Sequence, residues 1–229
     1  MSLFAIADLH LSLGTDKPMD VFHGWTDYVP RLKENWEKLV TPDDTVVIGG
    51  DISWAMNLEE CYEDFSFIHL LPGQKIFLKG NHDYWWQTKK KIDDYLFQNG
   101  FDSIKILFNN AYEVGDFAVC GTRGWYYDKE GEHDIKVINR EIGRLKTSYN
   151  AALQTGKRPI VFLHYPPVYG DIECEEIMSA LLELGVKTCY YGHLHGERTH
   201  RNAVQGEYRG IDFHLIACDY TRFVPILVR

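Results

Sequence analysis

Side chains that can bind metal ions follow five separate apolar runs of this sequence, each where the run ends. They are Asp8 and His10, then Asp51, then Asn81 with His82 and Asp83, then His164, and last His193 with His195. Imidazoles, carboxylates and one amide oxygen form a mixed donor set that suits borderline divalent ions such as Mn, Fe, Zn, Co or Ni. Because cysteine is missing from the set, a structural zinc site of the cysteine type is disfavoured.

Two such ions held close together by one carboxylate have a defined use in chemistry. A water between them loses a proton near neutral pH, and the pair can stabilise both the attacking and the leaving oxygen of an in-line displacement at phosphorus. A neighbouring histidine can protonate the departing alkoxide, which contributes roughly 10²–10⁴-fold in rate. The donor set therefore indicates hydrolysis of phosphate esters.

Each element taken alone has an ordinary explanation. An Asp-x-His pair such as Asp8 and His10 is frequent by chance, and His164 alone fits a hydrogen-bonded core histidine. The run from Asn81 to Asp83 fits a turn, because Asn and Asp favour turns, and His193 with His195 fits a structural zinc pair. The prediction depends on the full set in this order.

Apolar runs of four or five residues indicate buried strands that would position these groups. They cover residues Leu3–Ala7, Thr45–Ile48, Lys75–Leu78, Phe117–Cys120, Ile160–Leu163 and Lys187–Tyr191. The crevice outside the carboxyl ends of neighbouring parallel strands is where ligands bind in α/β sheets. In extended chain, residues two apart point to one side, so Asp8 with His10, and His193 with His195, would each face one locus. Glycines before the polar groups permit tight turns and close approach; they are Gly49, Gly50, Gly80 and Gly192.

Helical periodicity separates the apolar runs. Ile135, Ile138, Ile142, Leu145, Tyr149 and Ala152 step by three or four residues, which predicts a long amphipathic helix ending near Gly156. A second helix contains Ile177, Leu181 and Leu184, with Asp171 as a possible N-cap and Gly185 beyond its end. Weaker signals cover residues 31–40, 58–70 and 84–98, with Pro30 near the start of the first. Alternation of strands and helices predicts an α/β fold, and the sequence contains no repeat or linker, so residues 1–229 are expected to form one domain.

Composition limits the class of protein. The 229 residues are 45% hydrophobic, and the formal net charge of −9 argues against broad nucleic-acid binding. Five scattered cysteines favour a reducing compartment. We found neither a signal peptide nor a membrane span, so we expect a cytoplasmic protein without a membrane partner. The oligomeric state is left open.

The ordered set of motifs closely resembles that of the calcineurin-like metallophosphoesterases. The resemblance spans residues 8 to 195 and implies a four-layer αββα sandwich: two mixed β-sheets flanked by helices, with a dinuclear metal site at the strand ends. It also implies ligands for two divalent ions, Mn, Fe or Zn. Transferred position by position, one ion takes Asp8, His10, Asp51 and His195, and the other takes Asp51, Asn81, His164 and His193. The bridging ligand would be Asp51, and His82 would face the substrate as general acid with Asp83 orienting its ring.

The branch within this family is indicated by a few residues. Protein phosphatases of the family carry arginines shortly after the bridging aspartate and before the Asn-His pair, where this chain has Ile52 and Lys79. The run from His164 to Pro167 resembles the His-x-Pro-Pro segment of bacterial phosphodiesterases of the cyclic-nucleotide type, which is the branch most similar. Lipid-A precursor pyrophosphatases share the Asp-Leu-His opening but usually have arginine at the position of His82.

Substrate contacts are the least constrained part of the prediction. Arg123, between two glycines, is suited to hold a phosphate oxygen bidentately, or it is a surface residue of a hairpin. Tyr165 is the second candidate contact. Aromatic residues near the motifs either stack on the substrate or pack the core and rim; they are Trp54, Tyr84, Trp85, Trp86, Trp125, Tyr126, Tyr127, Tyr165 and Tyr169.

We therefore predict a hydrolase for a phosphodiester or phosphomonoester of a small organic phosphate. It would use a hydroxide activated by two metal ions. The alternatives are a non-catalytic sensor of a phosphate ligand on the same fold, and a Mn-dependent nuclease, which the absence of a basic stripe disfavours.

Overall fold

The computed structural model of the chain describes residues 1–125 and 132–229. In chain order the elements are β1 (Leu3–Ile6), α1 (Tyr28–Leu39), β2 (Thr45–Ile48), α2 (Tyr62–Leu70), β3 (Gln74–Phe77), α3 (Lys89–Gln98), β4 (Ile104–Ile106), β5 (Tyr112–Val114), β6 (Phe117–Thr122), α4 (Glu132–Gln154), β7 (Arg158–Leu163), β8 (Val168–Tyr169), β9 (Ile172–Glu173), α5 (Glu175–Glu183), β10 (Thr188–Tyr191), α6 (Glu197–His200), β11 (Gly206–Tyr208), β12 (Ile211–Leu215) and β13 (Ile226–Leu227).

Two mixed sheets contain most of these strands. The first sheet has the order β13-β1-β2-β3-β4, and the second has the order β11-β12-β10-β7-β6-β5. Strands β1 to β4 are parallel, as are β12, β10, β7 and β6, whereas β13, β11 and β5 run antiparallel at the edges. All the parallel carboxyl ends of one sheet therefore lie along one edge of that sheet.

The two sheets pack face to face and each carries helices on its other face. Leu3, Ala5, Val47, Ile76 and Leu78 of the first sheet meet an apolar layer from the second, which includes Val119, Ile160, Phe162 and Tyr190. The outer face of the first sheet packs against α1, α2 and α3, and that of the second against α4 and α5. The predicted αββα sandwich is thus confirmed.

The helix predictions hold with shifts at their starts. The long helix ends at Gln154, close to the predicted Gly156. Pro30 lies in the first turn of α1. Proline is tolerated there because backbone N–H groups in the first turn have no partner within the helix. Asp171 is not an N-cap, because α5 begins at Glu175 and Cys174 occupies the cap. The third weak signal becomes helix only at Lys89, after Thr88, whose side chain accepts a hydrogen bond from the amide of Lys91.

None of the helices in the part of the chain that the structure covers is long and apolar enough to cross a membrane. All five cysteines are buried and unpaired with one another.

Candidate metal centre

The side chains that follow β1, β2, β3, β7 and β10 converge at one end of the sandwich. Two groups of ligand atoms form there, one from Asp8, His10 and His195 and the other from Asp51, His164 and His193. Within each group the candidate ligand atoms lie within 4.8 Å of one another. The convergence expected from the strand ends is therefore present in the structure.

The first group is nearly enclosed. Nε2 of His10 lies 3.2 Å from Nε2 of His195, and the latter nitrogen lies 3.8 Å from Oδ1 of Asp8. Nε2 of His10 is also 3.7 Å from Oδ2 of Asp51. These four side chains are the set that the family resemblance assigns to one ion.

The second group gathers around Asn81. Its side-chain oxygen lies 2.7 Å from Nε2 of His164 and 2.9 Å from Nδ1 of His193. The same nitrogen of His164 is 3.5 Å from Oδ2 of Asp51. Since this carboxylate oxygen is near both groups, Asp51 is positioned to be shared between two ions.

The hydrogen bonds around the imidazoles test whether cations fit. Nδ1 of His164 lies 3.1 Å from the carbonyl oxygen of Gly49 and donates to it, so Nε2 carries a lone pair that faces the oxygen of Asn81. Nδ1 of His195 likewise donates to Asp219 at 3.0 Å, which turns its Nε2 toward His10. Metal-bound histidines usually anchor the second ring nitrogen in this way. Lone pairs that face one another at about 3 Å are stabilised by a cation between them, so the residues fit a metal pair.

Burial sets the protonation of these groups. It lowers the pKa of His164 and of His193 to about 3, so both rings are neutral near pH 7 and ready to bind metal. Burial also raises the pKa of Asp8 and of Asp51. Two buried carboxylates this close together are costly as anions unless a positive charge lies opposite them.

Several of these residues have an unusual backbone. Asp8, His10, Asp51 and His193 have φ values of 62°, 45°, 50° and 73°, in the left-handed region that non-glycine residues seldom adopt. Asp8 and His10 do face one locus, as expected, but the reason given for it was wrong, because their backbone is not extended. The left-handed turns aim both side chains at the centre, and strained backbone of this kind concentrates at functional sites.

Two glycines make room for the ligands. A Cβ on Gly192 would lie 2.5 Å from Oδ2 of Asp8, and one on Gly50 would lie 2.6 Å from Nδ1 of His164. Any other residue at either position would displace a candidate ligand. The predicted need for close backbone approach is met at these two glycines.

The role predicted for Asp83 is corrected by its contacts. Its buried carboxylate accepts hydrogen bonds from the amides of Gly80 at 2.7 Å, Ile52 at 2.8 Å and Asp51 at 3.0 Å, and from Nε1 of Trp85 at 3.0 Å. It therefore ties the loop after β2 to the loop after β3 and does not orient the ring of His82. The sequence could not show this, because the backbone donors come from a distant loop.

His82 lies at the open side of the centre. Its half-buried ring lies 4.6 Å from the ring of Trp54 and 5.6 Å from that of His10, between centroids. Nδ1 is 3.3 Å from the hydroxyl of Tyr84, so Tyr84 takes the place predicted for Asp83. Nε2 of His82 takes no part in this contact.

Asp219 is a site residue that the sequence reasoning missed. Besides His195, its carboxylate accepts the amide N–H of Gly196 at 2.8 Å and lies 3.5 Å from Nε2 of His200. Burial alone would lower the pKa of His195, but Asp219 and the other nearby carboxylates raise it to about 9. The signal was available, because Asp219 follows the apolar run from Leu215 to Cys218 as the candidate ligands follow theirs.

The aromatic residues divide between rim and core. Trp54 stacks on His10 with ring centroids 4.9 Å apart, and Tyr165 lies 4.4 Å from the ring of His193, so both border the centre. Trp85 is fully buried in the core of the first sheet, which is the packing alternative. Tyr126 and Tyr127 lie outside the described residues.

Arg123 directly follows β6. Its guanidinium lies 5.0 Å from the ring of Trp125 and 3.9 Å from the carboxylate of Glu141. Its carbonyl oxygen accepts the amides of His164 at 3.1 Å and of Tyr165 at 2.9 Å. Arg123 is therefore a partly buried neighbour of the centre, not a residue at a hairpin surface.

Comparison with known proteins agrees with this geometry. The family model described as calcineurin-like phosphoesterase matches residues 1–197. A search of curated proteins finds no match.

Solved structures share the fold at low sequence identity. A protein of unknown function from Aquifex aeolicus, AQ665, aligns with a TM-score of 0.56 and 18% identity over 99% of this chain and 95% of its own. Phosphopantetheinyl hydrolase (PptH) from Mycobacterium tuberculosis aligns with a TM-score of 0.56 and 13% identity over 99% and 95% of the two chains. TT1561 from Thermus thermophilus aligns with a TM-score of 0.55 and 10% identity over 84% and 81%.

Proposed function

Because the chain belongs to the calcineurin-like phosphoesterase family, we propose that it hydrolyses a phosphomonoester or phosphodiester of a small organic phosphate in a metal-dependent reaction. The observation that carries this proposal is the pair of ligand groups around Asp51. Donors from five strand ends meet there, and the candidate ligand atoms of each group lie within 4.8 Å of one another.

The residues of the two groups would hold two divalent ions, as the family resemblance assigns them. When bound, such ions supply an activated water and neutralise the oxygens of a phosphate. The protein contributes fixed ligand positions: Asp219 and the Gly49 carbonyl hold the outer nitrogens of His195 and His164, while Asp83 holds the loops that carry Asp51 and Asn81.

His82 is the general acid in this proposal. Its ring is kept in place by Trp54 and by the hydroxyl of Tyr84, and it borders the centre without belonging to either ligand group. A proton on Nε2 would pass to the oxygen of the departing alcohol. Loss of such a proton donor costs roughly 10²–10⁴-fold in rate.

The experiment uses purified protein loaded with Mn and a nitrophenyl phosphate ester. We expect hydrolysis by the native protein and a steep loss of rate in His82→Ala with the metal content unchanged. The matched control is His69→Ala, because His69 bonds to Ser103 in the first half of the chain, outside both ligand groups. Equal rates in His82→Ala and the native protein would remove the general-acid role.

A substrate screen would define the ester. It should include phosphomonoesters, cyclic nucleotides, bis-phosphate diesters and a phosphopantetheinyl ester, the last because of the name of the M. tuberculosis neighbour. Tight metal binding with no turnover of any ester would favour the sensor alternative. Cleavage of single-stranded DNA with Mn, in preference to small esters, would favour the nuclease.

A further inference from the structure

Three cationic side chains line one cavity beside the metal centre. Lys79 follows β3, Arg123 follows β6, and Arg144 projects from α4; all three surround the buried carboxylate of Glu141. We name these four residues the cationic pocket. None of the four is in either metal-ligand group.

Glu141 does not account for all three cations. Its two oxygens are bonded by the hydroxyl of Thr122 at 2.5 Å and by the guanidinium of Arg144 at 2.5 Å, whereas Arg123 approaches only to 3.9 Å. Among the side chains of residues 1–125 and 135–229, Lys79 has no carboxylate within salt-bridge distance, and the buried Nε of Arg123 has no hydrogen-bond acceptor. Within this described part of the chain, one carboxylate beside three cations leaves a surplus of positive charge and of donors.

This surplus is unusual for the molecule. The whole chain carries a formal net charge of −9, so a local cluster of cations is not needed for solubility. Such a cluster indicates a binding site for a specific anion. Arginine donors in fixed positions favour phosphate oxygens, because the guanidinium plane can bind them bidentately.

The cationic pocket adjoins the metal centre through the backbone. The carbonyl oxygen of Arg123 accepts a hydrogen bond from the amide of His164 at 3.1 Å. Lys79 precedes Asn81 by two residues, so their Cα atoms are at most about 7 Å apart. A ligand of modest length can therefore reach from one to the other.

We propose that the cationic pocket binds a second phosphate group of the substrate, distinct from the phosphate that is hydrolysed at the metal centre. The proposal rests on the proposed function and narrows its substrates to compounds with two phosphates. The enclosed space is about 10 Å³, room for one water-sized atom. A phosphate group is larger than this space, so it would contact the exposed parts of Arg123 and Arg144 from outside.

A series of synthetic esters tests the proposal with the Mn-loaded protein. Propane-1,3-diol bisphosphate and propyl phosphate differ only in the second phosphate, and longer diol bisphosphates vary the span between the two groups. We expect kcat/KM to be at least about tenfold higher for one of the bisphosphates than for propyl phosphate, since a charge-assisted hydrogen bond contributes on this scale. Equal kcat/KM values at every chain length would overturn the proposal.

Variants locate the effect. Arg144→Gln and Lys79→Gln should each reduce the ratio of the two kcat/KM values toward one. Arg158→Gln should leave the ratio unchanged, because Arg158 begins β7 at the end opposite to His164. Lys79→Gln serves as the second variant because, unlike Arg144→Gln, it does not remove a hydrogen-bond partner of Glu141. A ratio that Arg158→Gln reduces as much as the other two would contradict the proposal.

Calorimetry on the metal-free protein separates this proposal from the proposed function. Titration with inorganic phosphate should show binding that Arg144→Gln and Lys79→Gln weaken by about tenfold and Arg158→Gln retains. If the nitrophenyl ester is hydrolysed but neither phosphate binding nor bisphosphate preference depends on these residues, the pocket proposal fails and the proposed function stands. If no ester is hydrolysed but the variants lose phosphate binding, the proposed function fails, while phosphate binding by the cationic pocket stands.

Discussion

The two sheets contribute different chemistry to the metal centre. The first sheet supplies the oxygen donors, Asp8, Asp51 and Asn81, together with one imidazole, His10. The second sheet supplies only imidazoles, from His164, His193 and His195. The negative charge that attracts two cations therefore resides on one half of the sandwich, and most of the neutral donors reside on the other.

This division means that neither half can hold the metal pair alone. Each ligand group takes members from both sheets, so the centre exists only after the apolar faces have packed. Backbone hydrogen bonds join the halves beside it: the amide of Ala7 donates to Ile216 at 2.8 Å, and the amide of Cys218 donates to Ala7 at 2.9 Å. The packing of the two sheets therefore positions the ligands of both groups.

The largest effect is expected from Asp51, the residue that both ligand groups would share. Asp51→Asn should remove metal from both sites and reduce hydrolysis by more than about 100-fold. Loss of a bridging ligand is expected to reduce metal binding and activity more than loss of a residue that only supports a ligand. His193→Asn, in the second sheet, should reduce the content from about two metals to about one. Metal content measured by mass spectrometry of dialysed protein checks both.

These two variants are matched in backbone. Asp51 and His193 both have positive φ, and asparagine tolerates that conformation, so a difference between the variants reports on the ligands. Loss of a single metal in both variants would show that Asp51 is not shared.

A smaller effect is expected from Asp219, which supports the second sheet's ligand His195. Asp219→Asn should weaken metal binding at the site of His195 by about 10–100-fold, the usual range for a residue that orients a ligand. The other site should keep its affinity. The measurement is a metal titration followed by calorimetry.

Asp212→Asn is the matched control for this change. Asp212 also pairs with a histidine, since its carboxylate lies 3.0 Å from Nε2 of His214. Both residues are on β12 of the second sheet and outside both ligand groups. Equal weakening by the two variants would argue that the effect is one of general charge and not of ring orientation.

The change with the smallest expected effect on metal binding lies at the end of the first sheet away from the centre. Lys75 is buried on β3, and its ammonium donates to the carbonyl of His69 at 3.1 Å and to that of Leu71. Burial lowers the pKa of Lys75 from 10.5 to about 8. Below pH 8 the residue is charged in both folded and unfolded chains, and the burial of that charge costs stability in full.

Between pH 8 and pH 10.5 the folded chain loses this proton before the unfolded chain does, so the free energy of unfolding rises with pH. Relative to Lys75→Met, the native protein should gain about 3 kcal/mol across this window. Urea denaturation at several pH values checks it. A constant difference between the two proteins would show that the pKa of Lys75 is not lowered.

The sequence by itself carried the positions of six of the strands, the family and the candidate ligand set. These are local properties: an apolar run of four or five residues followed by a metal-binding side chain is visible in the chain, and Asp8, Asp51 and His164 each follow that pattern. The sandwich followed from the family resemblance, and the strand and helix periodicity was consistent with it.

Other features depended on partners far away in the chain. The carboxylate of Asp83 binds amides of the loop after β2, His195 depends on Asp219, and Arg123 meets Lys79 and Arg144 at one cavity. Side-chain orientation of this kind is decided by which loops the packed sheets bring together, and no spacing along the chain encodes it. The sequence therefore determined which groups are available for chemistry, and the tertiary structure determined what each of them touches, because hydrogen bonds and charge pairs act over a few ångströms of space whatever the separation in sequence.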